Sequence, residues 1–193
     1  MQQFPRSKRL SIIGLFVALV IVLNLTLKIP APFAGFLTYE IWEIPIVTAF
    51  LLFGFSIAIP VALLNFLTLS MFPGAILAGP LYNLIALLSM LAGVALAQRM
   101  RSSSNSRIVI PTVFGILSRV LVMIPVNAIL LQFSPPLGFG LHFAAVATLL
   151  PAIALFNGTV ALYTIPIALI VASKSSQRLS RMVLVAESTR SSS

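Results

Sequence analysis

Long apolar stretches recur along the chain and are separated by short polar or proline-containing segments. A helix needs about 20 apolar residues to cross the hydrocarbon core of a bilayer, and proline favours the ends or kinks of helices. These rules predict six membrane-spanning helices, at about residues 10–27, 40–59, 60–72, 79–98, 108–131 and 151–173. The third is short because Pro60 and Pro73 bracket it, so a five-span arrangement is the alternative.

The composition agrees with a membrane protein. Hydrophobic residues make up 60% of the chain and charged residues only 8%, whereas a soluble domain carries about 25% charged residues. The mean hydropathy is +1.13. We therefore predict one all-α integral membrane domain over residues 1–193, without a soluble module.

The basic residues predict the orientation of the spans. Lys and Arg accumulate in short cytoplasmic loops, and ten of the twelve here fall in three clusters at predicted span ends. The clusters are Arg6, Lys8 and Arg9; Arg99, Arg101 and Arg107; and Lys174, Arg178, Arg181 and Arg190. Six crossings place all three on one side, so both termini are predicted to be cytoplasmic, with residues 174–193 as a basic tail. Since no aromatic residues alternate with these cations, nucleic acid is not an expected partner.

Two carboxylates stand together before the second predicted span. Glu40 and Glu43 are the only acidic residues before Glu187 and lie in the stretch YEIWEIP. Residues three apart share a helix face. The pair either complements a helix N-terminus, with Tyr39 and Trp42 in an interfacial aromatic belt, or forms the polar lip of an outward-facing pocket.

Five of the six asparagines lie inside predicted spans, and all five fall within roughly 6 to 10 Å of the outer span ends at 1.5 Å per residue. They are Asn24, Asn65, Asn83, Asn127 and Asn157. Such amides either tie helices together or line a common polar cavity open to the outside. An amide has donors and acceptors, so a cavity of this kind suits a neutral ligand with heteroatom edges.

Two further features of the spans invite an explanation. Arg119 is predicted near mid-membrane, where an unpaired charge is costly, and no acidic residue is predicted in a span centre. We expect its side chain to contact backbone carbonyls freed by Pro125 or a polar ligand. Gly14 and Ala18 form a small-xxx-small face on the first span, which suits close packing within the chain or docking of a partner helix.

The residues needed for catalysis are scarce. The chain has one histidine, His142 in a predicted outer loop, no aspartate and no cysteine, and it lacks the HExxH, GxSxG and Walker sequences. A hydrolase or transferase needs a nucleophile with a base, or a metal held by His and carboxylates. We therefore predict that the protein is not an enzyme, contains no metal site, and relies on a partner for any energy.

Several segments together resemble the substrate-binding S-components of energy-coupling factor (ECF) vitamin transporters, and most closely the riboflavin-specific members. FLTYEIWEIP is similar to the family segment that leads through two acidic residues into helix 2, and FGFSIAIPVALLNFL to the following turn and helix 3. GPLYNL, MIPVN and LFNGTVA resemble motifs of helices 4, 5 and 6. The family lysine of helix 6 falls at Val160, and the glycine after it at Ala161.

The resemblance implies a six-helix bundle that binds a vitamin, here riboflavin as transported ligand with no cofactor, in the multi-pass membrane of a prokaryotic cell. It implies a coupling subunit, docked at Gly14 and Ala18, and two ATPase subunits as partners. The predicted substrate-binding residues are Asn83, Asn127, Asn157, Glu40, Glu43, Trp42, Tyr39 and Asn65. Because Val160 removes a cation, another small vitamin or a precursor is an alternative ligand. A non-transport membrane scaffold protein, in which the amides only join helices, is a third hypothesis.

Overall fold

The computed structural model describes residues 5–26, 28–72, 76–100 and 107–191, with side chains as far as Arg178. Within these ranges the chain forms six α-helices and one antiparallel two-stranded sheet. The elements in chain order are α1 Arg6–Thr26, β1 Ile29–Ala31, β2 Ala34–Tyr39, α2 Glu43–Phe53, α3 Phe55–Ser70, α4 Ala78–Arg99, α5 Val109–Leu130 and α6 Phe143–Ser191.

The helices alternate in direction and define two ends of a bundle. β1 pairs with β2, with Ile29 opposite Tyr39, and this hairpin marks what we call the hairpin end. The described cations that begin α1, end α4 and precede α5 lie at the opposite end, here named the basic end. Contacts between Arg9 and Ser56 near the starts of α1 and α3, and between Asn24 and Asn65 near their ends, show that these two helices run the same way.

Four of the helices in the described residues are long and apolar enough to cross a membrane, namely α1, α4, α5 and α6. α2 and α3 are apolar but shorter, with 11 and 16 residues. At 1.5 Å per residue α2 extends only about 16 Å, roughly half of a hydrocarbon core. The α2–α3 pair therefore differs from the prediction of a full-length span at about 40–59 followed by a short one at about 60–72, because α2 is the shorter helix.

The break between α2 and α3 lies at Gly54, not at the predicted boundary between residues 59 and 60. Gly54 has φ 74°, a left-handed conformation that glycine adopts without the steric cost of a Cβ. Pro60 lies inside α3, where it removes the bond that would reach the carbonyl of Ser56. The Arg9 guanidinium donates to that carbonyl at 2.8 Å, so the helix tolerates the proline.

α2 begins inside the bundle instead of at its end. Its first residue, Glu43, pairs with Arg119, which lies eleven residues before the last residue of α5, a depth of about 16 Å. The prediction that the second span begins at Glu40 is therefore wrong. β2 and the residues after it run down into the bundle before α2 begins.

A continuous apolar core joins α1, α2, α3, α4 and α6, with fully buried residues such as Ile46, Val61, Leu91 and Ile165. α4 and α5 approach closely where Gly93 faces α5, because a Cβ there would collide with the Phe114 backbone. α6 is a single helix of 49 residues that contains Pro151 and Pro166. It begins eight residues before the predicted span and continues through most of the predicted tail.

Candidate functional site

A cavity of about 550 Å³ opens toward the hairpin end between α4, α5 and α6. The β1–β2 hairpin and the loop between α5 and α6 close it from two sides. Its apolar lining includes Phe36, Leu37, Phe139, Leu141, Leu149, Ile153 and Phe156. Its polar lining includes Glu40, Asn83, Arg119, Asn127 and Asn157. A mostly apolar cavity with a few convergent polar groups is typical of small-molecule sites.

Three of the five predicted span asparagines line this cavity, one from each of three helices. Asn83 comes from the second turn of α4, Asn127 from the last turn of α5 and Asn157 from α6. Asn127 and Asn157 are buried, with 5% and 4% of their surfaces exposed. The structure thus brings together amides that are 44 and 30 residues apart in sequence.

Two of these amides are held by their own helices. Asn127 donates from Nδ2 to the Met123 carbonyl at 2.7 Å, and Asn157 donates from Nδ2 to the Ile153 carbonyl at 2.9 Å. Each bond reaches back one helical turn, a pattern that short polar side chains often adopt. A carboxamide has two N–H donors, so each amide keeps a second donor for another partner.

Arg119 and Glu43 form a buried ion pair below the cavity. Nη1 and Nη2 of Arg119 donate to the Glu43 carboxylate at 2.5 and 3.0 Å, and Nε donates to Asn157 Oδ1 at 2.9 Å. Arg119 is 2% exposed and Glu43 is 4% exposed. The expectation that Arg119 contacts carbonyls freed by Pro125, for want of an acid at its depth, is therefore wrong.

The sequence left two positions open for Glu43, a helix N-terminus or the lip of a pocket, and the structure has it as the first residue of α2 and not at the lip. Its carboxylate is buried against Arg119, and within the described residues it is not part of the cavity lining. The sequence could not show this, because the depth of Glu43 depends on how far the hairpin descends before α2 begins. Its role in ligand binding stays a prediction.

Glu40, three residues earlier, does line the cavity. One carboxylate oxygen pairs with Lys28 Nζ at 3.3 Å, and the other accepts the indole N–H of Trp42 at 2.7 Å. The Lys28 side chain is 59% exposed and that of Glu40 is 17% exposed. The two neighbouring carboxylates thus lie in different environments. Glu40 is in a partly solvated ion pair with Lys28, and Glu43 is in a buried ion pair with Arg119.

The predicted aromatic residues hold the hairpin in place. Trp42 is 2% exposed, and the Tyr39 hydroxyl bonds to Thr159 of α6 at 2.8 Å. The Tyr39 ring packs against Phe156 with centroids 5.0 Å apart, and Tyr163 donates to the Glu40 carbonyl at 2.6 Å. Within the described residues Phe156, and neither Tyr39 nor Trp42, lines the cavity.

The two remaining asparagines pair with each other away from the main cavity. Asn24 Nδ2 donates to Asn65 Oδ1 at 2.6 Å, and both residues are buried. This bond joins α1 to α3. Asn24 also borders a second cavity of about 370 Å³, which shares Glu40, Gly79 and Asn83 with the first. The predicted single layer of five amides therefore divides into a cavity group and a helix-joining pair.

Some lining residues carried no signal in the sequence. Phe139 and Leu141 lie in the loop before α6, and Phe36 and Leu37 lie in β2. As isolated apolar residues beside apolar spans, they cannot be distinguished from lipid-facing or core positions. Arg119 carried a stronger signal, because a cation at mid-span is rare unless it is paired or functional.

Two further sequence features differ in their exposure. Gly14 and Ala18 are both exposed on α1, and a Cβ at Gly14 would meet no atom within 4 Å. The described part of the chain therefore leaves this small-residue face uncovered. Val160, at the position of the family lysine, is 3% exposed and buried, so the cation beside Asn157 comes from α5 and not from α6.

Comparisons with known proteins support a transporter subunit. No family model matches the chain, and no curated protein matches it. Among solved structures, it is similar to a protein described as the S component of a bacterial ECF transporter, at 26% sequence identity and a TM-score of 0.64. The match covers 93% of this chain and 99% of that one. This similarity supports a membrane-embedded transport subunit of the S-component type, and the neighbour is a transporter component.

Proposed function

We propose that the protein is the substrate-specific subunit of an ECF-type transporter and captures riboflavin in the cavity between α4, α5 and α6. The observation that carries this proposal is the convergence of Asn83, Asn127 and Asn157 from three separate helices on one cavity. Asparagines that only joined helices would bond to each other, as Asn24 and Asn65 do.

The cavity suits a flat, heteroatom-rich molecule. Its volume of about 550 Å³ falls in the range of roughly 300 to 1,000 Å³ that is typical of small-molecule pockets. The isoalloxazine ring has a hydrogen-bonding edge that matches carboxamides, and its faces suit apolar and aromatic walls such as Phe156. In this proposal the three asparagines bind the polar groups, and Glu40 lies at the side of the cavity that adjoins the second cavity, which Lys28 borders.

The transport arrangement follows from the same assignment. The six helices, with α2 and α3 as a short pair, cross the membrane of a prokaryotic cell and leave both termini in the cytoplasm, so that the hairpin end faces outward. A coupling subunit with two ATPases provides the energy, and its docking face includes Gly14 and Ala18, which are exposed. Purification in mild detergent should retain such subunits if they are co-expressed.

A binding measurement tests the ligand. Detergent-purified protein should quench riboflavin fluorescence at micromolar concentrations or below, or carry flavin through purification. An absence of binding in this range would remove riboflavin as the ligand while leaving the fold intact. The variant Ser118→Ala provides a control for handling, because Ser118 bonds α5 to the Ser89 carbonyl of α4 and lies outside the cavity lining.

A different small vitamin or precursor is the second candidate ligand. The buried Val160 favours it, because an apolar side chain stands where the resembling family has a lysine. A thermal-shift screen across vitamins separates the two candidates, since a ligand that binds the native state raises the melting temperature by an amount that grows with the logarithm of its concentration relative to its Kd. Stabilisation by riboflavin above all other compounds supports the first candidate, and a larger shift with another vitamin supports the second.

A further inference from the structure

The orientation of the Asn157 carboxamide is fixed from both sides. Arg119 has only donors, so the atom that faces its Nε must be the amide oxygen. The Ile153 carbonyl has only lone pairs, so the atom that faces it must be the amide nitrogen. The observed distances are 2.9 Å for each contact. Rotating the amide by 180° would place two donors together and two acceptors together.

Glu43 holds the arginine that imposes this orientation. Its two oxygens bind the two Nη atoms of Arg119, a bidentate geometry that fixes the plane of the guanidinium. The Nε–H is then directed at Asn157. Met90 Sδ lies 3.7 Å from Nη1 and contacts the other side of the group. The guanidinium plane is therefore set by α2 and α4, while the amide that it orients belongs to α6.

Asn157 consequently presents a donor to the cavity. Its oxygen faces Arg119, one N–H is bonded to Ile153, and the second N–H remains for a ligand. Asn127 differs, because within the described residues its Nδ2 donates to the Met123 carbonyl and its oxygen has no partner, so that it keeps an acceptor beside its second N–H. The α6 wall thus offers a donor, and the α5 wall offers an acceptor and a donor.

We propose that the buried Glu43–Arg119 pair is a positioning device that fixes Asn157 as a hydrogen-bond donor, and that this wall selects ligands that carry a carbonyl-type acceptor. The selectivity part of this inference rests on the proposed function. Arg119 and Glu43 act through Asn157 and are positioning residues, so their removal changes which ligand groups are accepted more than it changes the shape of the cavity.

A ligand-free measurement tests the positioning. Removing only one partner would leave a buried charge, whereas replacing both with apolar residues of similar size is often neutral for stability. In protein labelled with ¹⁵N-asparagine, E43L/R119M should shift and broaden the side-chain amide signals of Asn157 and leave those of Asn127 in place. S118A, next to Arg119 in sequence, should change neither. Unchanged Asn157 signals in E43L/R119M would overturn the proposal.

A ligand comparison tests the selectivity. Riboflavin and an analogue with sulfur in place of the ring carbonyl oxygens differ in acceptor strength, and the wild-type protein should prefer riboflavin by about tenfold. E43L/R119M and N157L should each lose this preference, and combining them should cause no further loss. Full preference in E43L/R119M would contradict the selectivity claim.

The amide signals and the ligand preference distinguish a failure of the proposed ligand from a failure of the positioning role. If wild-type protein binds no riboflavin, the proposed ligand fails, and the asparagine signals still decide whether the ion pair positions Asn157. If E43L/R119M does not fold, R119K takes its place, because a single ammonium cannot reproduce the planar fork that serves Glu43 and Asn157 together. R119K should then show the same shift of the Asn157 signals, and an unchanged spectrum would refute the proposal.

Discussion

Asparagines make different kinds of hydrogen bonds in two regions of the hairpin end. In the seam between α1 and α3, Asn24 donates to Asn65 through one buried hydrogen bond of 2.6 Å. In the cavity between α4, α5 and α6, Asn127 and Asn157 bond to their own helix backbones and line the space where a ligand is expected. The amides of the seam thus bond across two helices, whereas those of the cavity donate within their own helices.

This difference indicates that the seam asparagines contribute to the stability of the fold and the cavity asparagines to ligand binding. A buried polar group without a partner is costly, so amides that keep unused hydrogen-bonding capacity beside a cavity are suited to a ligand or to water. Amides that bond to each other across two helices stabilise helix packing. Substitutions in the seam should therefore change the melting temperature, and those in the cavity should change ligand affinity.

The largest expected effect concerns the ion pair that supports the cavity. Arg119→Met leaves the Glu43 carboxylate buried without its partner, which should cost about 3 to 5 kcal/mol of unfolding free energy. Thermal or denaturant unfolding in detergent measures this loss. E43L/R119M should recover most of the stability, because no buried charge remains. Equal losses in the single and double variants would show that the pair is not the source of the effect.

The cavity amides give the next largest effect. Asn83→Ala combined with Asn127→Ala removes two expected ligand contacts, so riboflavin should bind about 100-fold more weakly, at roughly tenfold per hydrogen bond. The unfolding midpoint should remain close to that of the wild type, because, within the described residues, the Asn127 side chain bonds to its own helix. Destabilisation with no loss of affinity would instead favour the scaffold hypothesis.

Substitutions of the seam asparagines should lower stability and leave ligand affinity nearly unchanged. Asn24→Leu leaves Asn65 buried without its donor and should destabilise the protein by about 1 kcal/mol, given the modest measured strength of polar contacts between membrane helices. Replacing both residues with leucine removes the unsatisfied group and should restore most of that loss. Riboflavin affinity should stay within about twofold of the wild type in both variants. A double variant less stable than the single one would contradict this account.

The smallest effect is expected at the exposed ion pair. Lys28→Gln removes the 3.3 Å contact with Glu40, and the lysine side chain is 59% exposed. Pairs of this kind contribute less than about 1 kcal/mol, and solvent and salt screen them. Stability should barely change, and affinity should change by less than about threefold. A loss as large as that of Arg119→Met would show that Glu40 depends on Lys28 as Glu43 depends on Arg119.

The sequence predicted the cavity asparagines better than the carboxylates. Asn83, Asn127 and Asn157 lie near the ends of long apolar stretches, so counting residues places them at similar depths. Glu43 lies after an extended segment, and counting residues along a helix does not give the path of such a segment. The hairpin enters the bundle, and Glu43 therefore reaches Arg119 at mid-depth. Local periodicity gives the position of a residue along its own helix but not the depth at which that helix begins.

The break between α2 and α3 shows the same limit in the backbone. Pro60 and Gly54 both interrupt a helical pattern, and the prediction placed the break at the proline. In the structure Arg9, 47 residues away along α1, supplies a donor to the Ser56 carbonyl that Pro60 leaves free. A distant side chain thus permits the proline within α3, and the left-handed conformation at Gly54 marks the actual break.

The most direct test of the central claim is the ratio of two riboflavin dissociation constants, that of N83A/N127A over that of N24L/N65L, measured in the same detergent. Both variants replace two asparagines at the hairpin end, so general effects of lost amides cancel in the ratio. We predict a ratio of about 100, because in the proposed function the cavity pair contacts the ligand and the seam pair does not. A ratio near one would show that the amides lining the cavity do not bind it, and would contradict the account.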